Sequence, residues 1–107
     1  MQGYQITFFT QQDRKQEGRP LTDWLVETAR ALGVRGATAL LGAEGFGHHR
    51  RIHSARFFEL ADQPVEVTMV ASVEETERLF AHLREHRVHV FYARTPVEFG
   101  TIGDEDA

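Results

Sequence analysis

The chain alternates between two rhythms of apolar positions, one of period two and one of period three to four. From Tyr4 to Thr10 the alternation is imperfect but rich in aromatic and β-branched residues (Tyr4, Ile6, Thr7, Phe8, Phe9), which predicts a first strand. Gln11 to Gly18 is polar and charged and reads as a loop. Pro20 suits the first turn of a helix, and Leu21, Trp24, Leu25, Ala29 and Leu32 then recur at steps of three and four, with Asp23, Glu27 and Arg30 on the other face. Gly33 stops that helix, and Arg35 and Gly36 turn into a second strand, Ala37 to Ala43. Ala55 to Leu60 reads as a short strand extending a hairpin, and Asp62-Gln63-Pro64 punctuates it.

The second half repeats the scheme. Val65, Val67, Met69 and Ala71 alternate with Glu66, Thr68 and Val70 as a core strand. Ser72 with Glu75 three residues later is a capping box, and it opens a second helix whose apolar face is Val73, Thr76, Leu79, Phe80 and Leu83. Arg84, His86 and Arg87 in its last turn favour the negative end of the helix dipole. Val88, Val90 and Tyr92 alternate with His89, Phe91 and Ala93 as a fourth strand, and residues from about 98 to 107 read as a flexible acidic tail. The order strand, helix, strand, strand, helix, strand predicts an α+β fold, the ferredoxin-like β-α-β-β-α-β sandwich, as a single domain over residues 1–107. Both helices then lie on one side of the sheet. Its other side, with Val, Phe and Tyr on both faces, needs a cover that another subunit would supply.

Composition narrows the function classes. Of 107 residues, 41% are hydrophobic and 26% charged, the balance of a folded globular chain and not of a disordered one. Without cysteine there is no disulfide, thiolate metal site or thiol nucleophile. No run approaches the roughly 20 apolar residues of a membrane span, and nothing reads as a signal peptide, so a cytoplasmic location is expected. The net charge of -4 and the lack of a stacking platform argue against nucleic acid. Ser54 beside His53 has no orienting acid nearby, so the chain is not expected to be an enzyme.

Against that acidic background one stretch reverses sign. Between Glu44 and Glu59 there is no acidic residue, while His48, His49, Arg50, Arg51, His53 and Arg56 all fall there. Gly45 and Gly47 flank Phe46, where they let the chain turn sharply and expose backbone N–H groups. The segment reads either as a hairpin bend with a solvated loop or as a ligand-lining loop base with an anion-attracting field. His48 and His53 are the alternative as metal ligands, although adjacent histidines rarely chelate one ion and no carboxylate is interleaved.

Four segments, Gly33-Val34-Arg35-Gly36-Ala37-Thr38, Glu44-Gly45-Phe46-Gly47, Arg51-Ile52-His53-Ser54 and Asp62-Gln63-Pro64-Val65, resemble the prokaryotic family known as domain of unknown function 190. That family is similar to the PII signalling proteins, and the resemblance covers nearly the whole chain. It implies a homotrimer of ferredoxin-like subunits, with sheets lining the interior and three T-loops, here about Gly45 to Asp62, projecting on one side. It also implies a regulatory protein that senses a small anionic or nucleotide effector at clefts between subunits. Thr38, Glu44, Gly45, Phe46, Gly47 and His48 would be the ligand-binding positions. His49, Arg50, Arg51, His53 and Arg56 would dock a protein partner such as a membrane transporter, without membrane insertion. The cofactor stays open, with an adenine nucleotide as one candidate. Glu85-His86-Arg87 holds no glycine where PII proteins place a glycine- and lysine-rich phosphate loop. Two alternatives stand beside this reading: a metal-binding trimer similar to the divalent-cation tolerance proteins, and a structural trimer without ligand.

Overall fold

The computed structural model describes residues 1–41 and 63–103, together with the backbone of 44–46 and 52–54. Four strands form the main sheet: β1 (Gln2–Gln11), β4 (Ala37–Leu41), β7 (Pro64–Ser72) and β8 (Phe91–Glu98), in the spatial order β4-β7-β1-β8 and antiparallel throughout. Two helices, α1 (Leu21–Ala31) and α2 (Val73–Glu85), pack on one face. Two short hairpins complete the chain, β2 (Lys15–Gln16) with β3 (Arg19–Pro20), and β5 (Glu44–Phe46) with β6 (Ile52–Ser54). This is the expected ferredoxin-like α+β arrangement.

The period-two pattern decides which side of the sheet faces the helices. Ile6 and Phe8 of β1 and Val67 and Met69 of β7 are sealed beneath Leu25 of α1 and Leu79 of α2. Trp24, Phe80 and Leu83 join them, as the periodicity requires. Val73, which the sequence places on the apolar face of α2, is instead exposed. It is the first helical residue after the Ser72 cap, where the chain has only begun to wind. The capping box is present in both directions: Ser72 N donates to Glu75 Oε1 at 2.7 Å, and Glu75 N donates to Ser72 Oγ at 3.1 Å. Thr76 Oγ1 donates to the Ser72 carbonyl at 2.8 Å, which is how a hydroxyl is accommodated in the core.

Two boundaries differ from the sequence reading. β4 is described as far as Leu41, and the rest of the expected second strand, Gly42 and Ala43, and the expected strand at Ala55 to Leu60 lie outside the described residues. The fourth strand begins at Phe91 and not at Val88, because the Val88 amide is already committed to the Leu83 carbonyl at 3.0 Å, closing the end of α2. It runs through Pro96 to Glu98, and a proline is tolerated there because β8 is an edge strand. Phe99 follows it and is bonded to Met1 in both directions, N to O at 2.8 Å and O to N at 3.0 Å, so the stretch read as a tail from about 98 begins tethered.

The segment read as a loop, Gln11 to Gly18, is a strap. The Gln12 amide donates to the Gln63 carbonyl at 3.0 Å, and the β2–β3 hairpin then crosses to the far end of α2. Gln16 Nε2 donates to the His86 carbonyl at 3.0 Å, and Arg14 Nη2 to the His89 carbonyl at 2.5 Å. The Leu21 amide donates to the Arg14 carbonyl at 2.8 Å, which satisfies one N–H of α1 in place of a side-chain cap.

Candidate functional site

Among the described residues, nothing packs over the other face of the sheet. The register sets Leu40, Glu66, Phe9 and Phe91 side by side in one row across all four strands, and Thr38, Thr68, Thr7 and Ala93 in the next. Leu40 is 58% exposed and Phe91 64%, values that a single chain rarely shows for two such side chains on one surface. The Phe9 and Phe91 rings meet at 5.6 Å between centroids, and Thr7 Oγ1 lies 3.2 Å from Thr68 Oγ1. Glu66 is the only acid in these two rows, which are otherwise apolar or hydroxylated. No helix of the described chain covers them.

Thr38, the first of the sequence-predicted ligand positions, stands on this face in the edge strand β4. Glu44, Gly45 and Phe46 form β5, and Gly45 pairs with His53. Gly45 is therefore part of a ladder and does not make the sharp turn expected of it. The hairpin places the backbone of the predicted ligand segment opposite that of the predicted docking segment. Gly47, His48, His49, Arg50, Arg51 and Arg56 lie outside the described residues, and for His53 only the backbone is described. Among the described residues, no group of three or more His, Cys, Asp or Glu is placed to hold a metal ion.

Two grooves flank the edge strand that leads to this hairpin. One, of about 300 Å3, runs beneath the start of α1 and is lined by Gln12, Pro20, Thr22, Asp23, Leu40 and Leu41 among others. The second, also about 300 Å3, lies between the end of α1 and the start of β4, with Val26, Arg30, Val34, Arg35, Gly36 and Ala37 in its wall. Arg30 and Arg35 give the second groove a positive lining, and both were absent from the sequence-derived site. Their signal was present: Arg35 and Gly36 stand immediately before the Ala37-Thr38 pair in the chain. The Arg35 guanidinium sits 5.6 Å from the Phe99 ring centroid and reaches Met1 Sδ at 3.7 Å, so Met1 and Phe99, themselves bonded to each other, hold it at the groove.

The histidines of α2 are more engaged than a helix surface implies. His82 stacks on Trp24 at 5.9 Å, His86 lies 5.5 Å from the same ring, and the two imidazoles are 4.2 Å apart. His89 lies in the connection before β8 and not in a strand.

Among the described residues, no helix is long and apolar enough to cross a membrane. In overall shape the chain matches CPII, a nitrogen regulatory PII-like protein from Thiomonas intermedia K12 solved with ADP, AMP and bicarbonate. That match has a TM-score of 0.70 at 12% identity and covers 94% of this chain and 91% of that one. A PII-like signalling protein from Thermus thermophilus superposes with a TM-score of 0.66 at 20% identity, over 91% and 88% of the two chains. In sequence, the UPF0166 protein of Aquifex aeolicus (strain VF5) is 29% identical over 80 residues, 74% of this chain and 76% of the relative. The family model DUF190, described as an uncharacterized ACR, matches residues 3–99, which is most of the chain. This chain therefore belongs to the DUF190 family, with a PII-like fold.

Proposed function

We propose that the protein is a cytoplasmic PII-like signalling protein that assembles as a homotrimer through the open sheet face and takes an adenine nucleotide or small anion at the clefts this creates. The observation that carries the proposal is that face, where exposed Phe91 and Leu40 flank a hydroxyl row that ends in Thr38 at the sheet's edge. Packing the face against other copies brings the edge strand β4, and the cationic groove beside it, to a subunit boundary. Arg30 and Arg35 would then supply charge to a phosphate or carboxylate, and Thr38, Glu44, Gly45, Phe46, Gly47 and His48 would form the rest of the wall. That CPII was solved with ADP, AMP and bicarbonate supports these ligand classes.

The loop carrying His49, Arg50, Arg51, His53 and Arg56 would report the occupied state to an acidic partner, of which a membrane transporter is one class. A ligand shifts such a loop only by its difference in affinity for the two loop states. Isothermal titration of the purified protein with ADP, AMP and bicarbonate tests the reading. Saturable binding that is lost in Arg35→Glu and Gly47→Trp is expected. No heat from any of the three at millimolar concentration would contradict it. A ligand present at a hundred times its dissociation constant should also add about 2.7 kcal/mol to stability.

A further inference from the structure

We infer that His82 and His86 of α2 form a surface site for a divalent transition-metal ion of the copper, nickel and zinc class, with Glu17 of the strap as the carboxylate that orients one of the two imidazoles. The site is separate from the loop histidines His48 and His53, and it does not rest on the signalling function proposed above.

The helix supplies the spacing. Residues four apart lie on one face, one turn above the other, and this is how a single helix offers two imidazoles to one metal ion. The His82 and His86 rings are 4.2 Å apart between centroids and inclined at 32°. Two imidazoles bound side by side to one ion, each nitrogen about 2.1 Å from it, have centroids about 4.5 to 5 Å apart. A modest opening of the pair by side-chain rotation reaches that separation. Trp24 of α1, itself buried, lies against both rings, 5.9 Å from His82 and 5.5 Å from His86. That fixed wall already restricts the two side chains, so less freedom is lost on binding than for imidazoles loose in solvent. Both histidines are half-buried, which leaves water free to complete the coordination shell.

Glu17 decides which nitrogen His86 offers. Its Oε2 lies 2.5 Å from His86 Nδ1. An ionised carboxylate only accepts hydrogen bonds, so Nδ1 carries a proton and the lone pair of the neutral ring is left on Nε2. The hydrogen bond to His86 is also the largest influence holding the Glu17 carboxyl below its usual range. A carboxylate behind a ligating histidine fixes the tautomer and raises the basicity of the ring. The backbone gives this contact weight, because Glu17 has a φ of 53°, a left-handed conformation that costs a non-glycine residue and in a hairpin turn favours Asn. His86 is also the capping residue at the C-terminus of α2, where the dipole favours positive charge.

The donor set selects the ion. Two neutral nitrogens and water suit copper(II), nickel(II) and zinc(II), and not magnesium or calcium, which take oxygen ligands. With only two protein ligands this is an exchangeable site and not a closed structural one, in keeping with the lack of any group of three ligating side chains among the described residues.

Trp24 is the only tryptophan of the chain and touches both rings, so its fluorescence reports an ion held here and not elsewhere. Copper(II) titrated into the purified protein near neutral pH should quench it saturably, nickel(II) should do so at higher concentration, and magnesium should not. Zinc should displace copper in competition. His82→Gln and His86→Gln, each with an unchanged unfolding midpoint in the absence of metal, should abolish the saturable quenching. Glu17→Gln should keep it with affinity reduced about tenfold. Broadening of the His82 and His86 imidazole resonances by nickel(II) in the native protein gives the same answer without a variant. Quenching that survives both histidine substitutions, or copper binding in calorimetry with Trp24 unquenched in the native chain, would overturn the inference.

Discussion

The two faces of the central sheet are built from the same strands by the same alternation, yet only one of them is finished. On the helix side, Ile6, Phe8, Val67 and Leu79 are fully removed from water and the Phe8 and Phe80 rings pack at 6.0 Å. On the other side, Phe9 and Phe91 form an equivalent aromatic pair at 5.6 Å, and Phe91 is mostly exposed. Burial is what converts apolar area into stability, so the first face holds the chain together and the second would add to stability only if another surface covered it. Large apolar side chains on a surface that no described residue covers are what the proposed assembly would bury.

Substitutions can break this contrast at either side. The largest effect is expected from Phe8→Ala, which leaves a cavity at the centre of the covered face and should cost about 3–5 kcal/mol in chemical denaturation. Phe91→Arg, on the open face, should leave the subunit's own fold nearly unchanged and weaken association by about 2–4 kcal/mol, read by sedimentation across a concentration series. Gly3→Ala sharpens the comparison, because Gly3 is buried where β1 lies closest to β7: an added β-carbon would come 2.0 Å from the Ala71 carbonyl oxygen. A loss of about 1–3 kcal/mol is expected by thermal unfolding, since backbone must move to admit the methyl. Thr68→Val removes the partner of the Thr7 hydroxyl and should cost about 1 kcal/mol, visible as a small drop in the unfolding midpoint.

Much of this was legible in the chain itself. The helices and the core strand β7 announce themselves because their apolar spacing and their caps agree, as at Ser72 and Glu75. The strap was not legible. Its strands are two residues long, too short for periodicity, and the turn at Glu17-Gly18 uses a residue that does not advertise a positive φ. Val88-His89-Val90 alternates like a strand but is taken by the end of α2 and by the Arg14 side chain, contacts that link residues far apart in sequence. The same limit hid the groove: Arg30 reads as a solvated helix residue and Arg35 as part of a turn, and only the packing of α1 against β4 makes them neighbours. Thr38 was named as a candidate by resemblance alone, and the register gives it a place on the open face.

The central claim is that the open face is closed by further copies of this chain. Sedimentation equilibrium of the purified protein at micromolar concentration tests it most directly. The account predicts three masses of the 12.2 kDa chain, reduced toward one by Phe91→Arg. A native protein that remains a single chain across the whole range would contradict it.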